Sequence, residues 1–378
     1  VRVVIFCHSL RSDWNHGNAH FLRGVATELL ARGHEVRALE PAGAWSVARL
    51  LEDAGPEGLE RFARAYPHLR PVVYDPGALE LDEALDGAAL VLVHEWNDPE
   101  LVRRIGEHRL RAGSYTLLFH DTHHRAASAR AELEAFDLEG YDGVLAFGDA
   151  IRELYLARGW SRRVFTWHEA ADVRVFRPHP GVPRRRDLVW IGNWGDGERS
   201  AELHEFLVGP VRDLRLAARV HGVRYPVHAR HALARAGIEL RGWLPNFEAP
   251  LAYAAHRVTV HVPRRPYVEH LPGIPTIRPF EAMACGIPLV CAPWDDREGL
   301  FTPGSDYLVA RDGAAMTAHL RAILSEPALA RGLAEHGRAT ILARHTCAHR
   351  VTELLRIHAQ LRGPRPVNAR AGVPVTPE

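Results

Sequence analysis

Short apolar, β-branched runs alternate with amphipathic stretches along nearly the whole chain, which is the pattern of a parallel α/β sheet. The first strand begins at Val3 and is followed by a polar loop from His8 to Gly17. Phe21, Leu22, Val25, Ala26, Leu29 and Leu30 then recur with a period near 3.6, predicting a helix that Gly33 ends. Further strands are predicted at 35–39, 71–74, 89–93, 115–120, 143–147 and 163–167, enough for a complete doubly wound domain over residues 1–176. The proline-rich stretch 177–186 reads as a linker. The alternation resumes in a second domain, 187–345, with strands at 187–191, 216–220, 238–240, 258–262 and 287–291 and helices at 312–325 and 327–343. A last helix, 346–362, is expected to pack back toward the N-terminal domain. Residues 363–378 carry four prolines and no periodicity, and are expected to form a mobile tail.

The length of 378 residues agrees with two domains. All 47 basic side chains are Arg, and the chain has no Lys. Schiff-base chemistry, lysine-anchored pyridoxal phosphate and a Walker A phosphate loop are thereby excluded. With 46 acidic residues the formal net charge is +1, which argues against a dedicated nucleic-acid or membrane-surface binder. The four cysteines (Cys7, Cys285, Cys291 and Cys347) are scattered, as reduced core thiols would be. No apolar run approaches 18 residues and no basic-then-apolar leader opens the chain, so a cytoplasmic protein is expected.

Ligands of open α/β sheets sit beyond the carboxyl ends of strands. Four loops there carry more glycine, polar and charged residues than a turn needs. Gly192 to Arg199 has the spacing G-x-x-G-x-G, suited to a phosphate at a helix start but lacking the dinucleotide fingerprint. In the stretch 271–290, Arg278 and Glu281 lie three apart on one helix face, either as an ordinary salt bridge or as a phosphate and ribose site. His120, Asp121, His123 and His124 crowd a third loop. A metal is the lesser reading there, helix capping by Asp121 the greater one, and His120 or Asp121 is the place for a general base. Asp13, Trp14, His16 and Asn18 crown the first strand. Five Arg and three His between 215 and 235 read as a solvated helix face, with peripheral membrane contact as the alternative.

The run Phe280-Glu281-Ala282-Met283-Ala284-Cys285-Gly286-Ile287-Pro288-Leu289-Val290 resembles the nucleotide-sugar signature of GT-B glycosyltransferases of the family 4 type. Arg278 and Glu281 give it the Arg-x-x-Glu form of the spore-maturation, CgeB-like subgroup. Similar elements are Gly33-His34-Glu35-Val36, the stretch 141–159, the hinge-like stretch 168–178 and Gly242-Trp243-Leu244-Pro245, so the resemblance spans residues 1–361.

The resemblance implies an α/β GT-B fold, two doubly wound Rossmann-like domains facing across a cleft. It also implies transfer of a sugar from a nucleoside diphosphate sugar to an acceptor, with no resident cofactor, no metal and no nucleic-acid partner. Glu281 would bind the ribose, and the loop Gly273, Ile274, Pro275 and Thr276 would face the sugar or pyrophosphate. Gly192, Asn193, Arg199 and Arg278 would lie at the phosphates and Trp243 at the base. His120 would face the donor sugar, and Asp13, Trp14, His16 and Asn18 the acceptor. Two positions depart from the pattern. The first acidic residue of E-x7-E is Gly273, and a phosphate-binding Arg is replaced by Asn193. Retaining and inverting transfer both stay open. A nucleotide-sugar isomerase and a non-catalytic nucleotide-sugar binder are the alternative functions.

Overall fold

A computed structural model describes residues 1–195 and 197–363. Asp196 and, from residue 364 on, the expected tail lie outside the described residues. The N-terminal sheet has seven parallel strands: β1 (Arg2–Phe6), β2 (Glu35–Pro41), β3 (Val72–Tyr74), β4 (Leu90–His94), β5 (Thr116–Asp121), β6 (Gly143–Ala146) and β7 (Val164–Thr166). Their order is β3-β2-β1-β4-β5-β6-β7. The second sheet holds β8 (Arg186–Ile191), β9 (Ala218–His221), β10 (Glu239–Leu240), β11 (His256–His261), β12 (Leu289–Cys291) and β13 (Leu308–Val309). Its order, β10-β9-β8-β11-β12-β13, repeats that of the first. In each sheet the chain winds outward one way from the first strand and then returns to build the other side.

Both sheets are covered on both faces, which is why their strands read as continuous apolar runs. Side chains nonetheless sort with a period of two. In β1, Val3 and Ile5 join one core with Leu92 and Leu118, while Val4 and Phe6 join the opposite core with Val91 and Phe119. In β8, Leu188 and Trp190 face one core and Val189 and Ile191 the other.

The last helix, Cys347–Arg362, crosses back to the N-terminal domain. Val351, Leu354 and Ile357 are almost wholly buried in the core that also holds the helix Ala19–Ala31. Each such side chain gains about 2 kcal/mol on leaving water, ample to hold the helix there. Gly24 permits the close approach, because a Cβ at that position would stand 2.4 Å from Cys347 Sγ.

Apolar contact also joins the domains at the cleft. Tyr267, Leu271 and Ile274 of the second domain are buried in a core of the first. Glu298 accepts hydrogen bonds from the Asp149 amide at 2.8 Å and from His168 Nε2 at 2.6 Å.

Candidate functional site

Where a doubly wound sheet reverses direction, the loops leaving adjacent strands diverge and open a crevice. The two such points, between β1 and β4 and between β8 and β11, face one another. The cleft between them has a volume of about 1000 Å³. Its lining comes from the loops after the strands of both sheets, so the same topology supplies two walls.

The C-terminal wall is cationic. Arg199, Arg224, Arg264 and Arg278 all line it. Arg278 pairs with Glu281, and Arg264 donates to Glu198 at 2.8 Å. Arg199 donates to two carbonyl oxygens, of Val262 at 2.9 Å and Asn193 at 2.7 Å, and to no carboxylate; its Nε has no partner. The guanidinium lies over the Trp190 ring, 5.2 Å from its centre. Burial, helped by the nearby Arg264 and Arg278 charges, pulls its pKa down to about 9. The loop that presents it depends on close backbone approach. A Cβ on Gly222 would sit 2.0 Å from the Gly192 carbonyl oxygen, and Tyr225 donates to that oxygen at 2.7 Å.

The N-terminal wall is aromatic and has no excess of positive charge, since Arg49 pairs with Glu52 and Asp13 and Asp53 also lie on it. Trp14, Trp45 and Trp96 line it with His16, Asn18, Thr122 and His123. Trp45 stacks on His8 at 4.7 Å and meets Trp14 and Trp96 edge-on. Burial lowers the pKa of His8 to about 4, that of His123 to about 2, and that of His16 well below the ordinary value, so these rings are neutral. Thr122 is fixed by Glu95, which accepts from its amide and its hydroxyl at 2.8 Å each; Asn18 donates to the same hydroxyl oxygen.

Of the residues singled out in the sequence, Asp13, Trp14, His16, Asn18, Gly192, Asn193, Arg199, Trp243, Thr276 and Arg278 line the cleft, whereas His120, Asp121, Gly273, Ile274, Pro275 and Glu281 do not. Asp13 has no free oxygen for a ligand, since it accepts from Arg23 at 2.7 Å and from the Asn246 amide and Trp243 Nε1 at 3.0 Å each. Asn193 is likewise engaged, with Asn15 and the Val223 amide. His120 is buried among Phe21, His94 and Trp167.

Asp121 accepts from Tyr155 at 2.8 Å and from the His123 amide at 3.1 Å, and burial next to Glu95 pushes its pKa well up. It does not cap the next helix, Arg125–Ser128, which starts without a side-chain cap. The expected base therefore faces away from the cleft, and its neighbours Thr122 and His123 take the exposed side.

The loop before the helix Ile277–Ala284 is equally committed. Ile274 sits in the N-terminal core, and its carbonyl accepts from Trp294 Nε1 at 3.1 Å. Gly273 has φ +93°, and a Cβ there would point at Glu298, 3.0 Å away. Only Thr276 reaches the cleft, with φ +58°, an uncommon conformation for a residue with a Cβ.

Glu281 is wholly buried. One carboxylate oxygen meets His20 Nδ1 at 2.8 Å and the other meets Arg278. His20 Nε2 accepts from the Asp172 amide at 3.0 Å, so the ring hydrogen sits on Nδ1 and is donated to Glu281. Burial alone would raise the Glu281 pKa, but Arg278 and His20 outweigh it and hold it below the ordinary value.

Sequence reasoning did not single out Glu169, Trp45, Trp96 or Arg264, all of which line the cleft. Glu169 had a visible signal, an acidic residue three positions past the end of β7 in the stretch Trp167-His168-Glu169-Ala170-Ala171. Among the described residues no group of three or more His, Cys, Asp or Glu side chains is arranged to hold a metal ion. No described helix is long and apolar enough to cross a membrane.

Residues 199–356 match the family model described as glycosyl transferase-like. Solved structures similar over nearly the full length include sucrose-phosphate synthase from Thermosynechococcus elongatus (17% identity, 95% of this chain and 98% of that one, TM-score 0.66). HepE of Anabaena in complex with UDP is similar at 13% identity over 94% of this chain and 99% of that one, with a TM-score of 0.67. An alpha-glucosyltransferase bound to UDP and a DNA 13-mer containing an HMU base is similar at 12% identity over 94% and 98%, also with a TM-score of 0.67. No curated protein matches the sequence significantly. Residues 199–356 thus resemble a glycosyl transferase domain, and the chain as a whole has the GT-B architecture.

Proposed function

We propose that this protein is a glycosyltransferase that moves a sugar from a nucleoside diphosphate sugar to a hydroxyl acceptor. The observation that carries this reading is Arg199, a half-buried guanidinium in the cleft with two more guanidiniums nearby and no carboxylate of its own. Such a group calls for an anion, and a diphosphate held between Arg199 and Arg264 meets that need with bidentate geometry. The leaving diphosphate's charge is then stabilised by fixed guanidiniums as it develops, and the chemistry draws on no resident cofactor or metal. Trp243, on the same wall, offers a ring for the base. The aromatic wall opposite, where carboxylates outnumber the one arginine, suits an uncharged, polyhydroxylated acceptor better than a polyanion. Uridine is the base to try first, because two of the similar structures hold UDP. The CgeB-like subgroup and a cytoplasmic location belong to the same proposal.

Calorimetric titration with UDP tests it. Arg199→Ala is expected to weaken binding by about 1.5–3 kcal/mol, the range of hydrogen bonds to charged groups. Unchanged affinity in the folded variant would displace the diphosphate from this wall. A wild-type protein that binds no nucleoside diphosphate would end the reading.

A further inference from the structure

Glu169 stands where the two walls meet. Its main chain is held on both sides. Trp167 and Ala170 are wholly buried, the His168 carbonyl accepts from Arg350 Nε at 2.9 Å, and the Ala171 amide donates to the His345 carbonyl at 3.0 Å. The residue is 5% exposed and lines the cleft. Its carboxyl has no hydrogen bond and no ion pair. Every other buried Asp or Glu among the described residues has at least one such partner, and the wholly enclosed ones have several. Glu40, for example, accepts from Ser9, from the Leu10 amide and from Arg11. Its oxygens are not sealed off but open to the cleft, where water or a ligand hydroxyl supplies the partner that the protein does not.

The surroundings say what that ligand offers. Arg278, the guanidinium nearest in influence, is already taken by Glu281. Glu281 and Glu95 add negative charge, and with burial they push the Glu169 pKa up to about 8. The group is therefore a neutral carboxylic acid near pH 7, one donor beside two acceptor oxygens, which complements hydroxyls and not a phosphate. The loop opposite supplies no alternative carboxyl, since the side-chain direction at Gly273 points at Glu298.

We propose that Glu169 contacts the sugar ring of the bound nucleotide sugar and holds its hydroxyls beyond the diphosphate. The inference rests on the nucleotide-sugar reading above, and its test separates the two. UDP and UDP-glucose are titrated into the full-length wild type and into Glu169→Ala and Glu169→Gln. Glu169→Ala is expected to lose about tenfold or more in UDP-glucose affinity and less than about twofold in UDP affinity, while Glu169→Gln, which still donates and accepts, stays within about threefold of wild type for both. Should the alanine variant unfold, Glu169→Met repeats the measurement with length kept and polarity lost. Equal losses for UDP and UDP-glucose, or no loss for either, would overturn the sugar contact while leaving the diphosphate site intact. A wild type that binds neither compound removes the parent reading and this inference together.

Discussion

The two walls of the cleft share one strand order and differ in chemistry. After β1, β4 and β5 the loops carry Trp14, His16, Trp96, Thr122 and His123, with Thr122 held by Glu95 and imidazoles kept neutral by burial, His16 Nε2 and His123 Nδ1 having no partner. After β8 and β11 they carry Arg199 and Arg264, and at Arg199 positive charge is left uncompensated. The topology fixes where a ligand lies, and the loop residues fix which part of it lies against which wall. In the proposed reaction the charged leaving group lies with the arginines and the acceptor with the tryptophans.

The strongest way to break this comparison is at the joint between the walls. His20, on the helix after β1, and Arg278, on the cationic wall, share the two oxygens of Glu281. Removing that carboxylate leaves a half-buried guanidinium and a fully buried imidazole N–H without their acceptor. Glu281→Ala is expected to lose about 3–5 kcal/mol of stability in denaturant unfolding, the penalty for breaking a buried pair from one side. The exposed pair Arg49–Glu52, with both side chains more than half exposed, should change stability far less when cut. A loss at Glu281 as small as that of the exposed pair would show that the joint does not hold the walls together. Nucleotide binding alone is a poor reporter here, because the carboxylate is sealed by its two partners.

Much of the frame was legible in the sequence. Strands buried on both faces give unmistakable apolar runs, and most predicted strands lie within a residue or two of β1–β12. The two-residue strand β13 is too short for periodicity to register. That Gly192, Arg199 and Arg278 line the cleft was legible, because glycine- and arginine-bearing loops after strands stand out in the sequence. Which polar residues are already engaged was not legible. Asp13 and Asn193 look like free ligands in one dimension, yet are engaged by Asn246 and Asn15, 233 and 178 positions away; Glu281, for which a salt bridge with Arg278 was legible, is also closed off by His20, 261 positions away. Glu169 is the converse. In the sequence it passes for part of a hinge, and only the absence of a partner in three dimensions marks it out.

That absence predicts an effect of intermediate size. Burial first, then Glu281, raises the Glu169 pKa from 4.5 to about 8, with Arg278 opposing and Glu95 adding slightly. The folded state thus holds a proton that the unfolded chain releases. Stability linked to this group is whole below pH 4.5 and is lost as pH rises toward 8. Glu169→Gln removes the ionisation, so the variant is expected to match wild type closely at pH 4.5 and to exceed it by about 3 kcal/mol at pH 7. Chemical denaturation at the two pH values gives the difference. A constant difference across this range would mean that the carboxyl finds compensation in the free protein, and the joint between the walls would then be no special place.

The smallest effect is expected on the aromatic wall. Trp45 is 39% exposed at the start of the helix Trp45–Ala54 and stacks on His8, so its outer face is free to meet a sugar ring. A stacking contact of this kind contributes about 1 kcal/mol beyond area burial. Trp45→Ala is therefore expected to raise the acceptor KM about fivefold with little change in UDP affinity, the opposite of Arg199→Ala. Steady-state kinetics with acceptor varied, set beside UDP titration, gives both numbers for both variants. If Trp45→Ala weakens UDP as much as it raises the acceptor KM, the nucleotide reaches across to the tryptophans, and the division of labour between the walls fails.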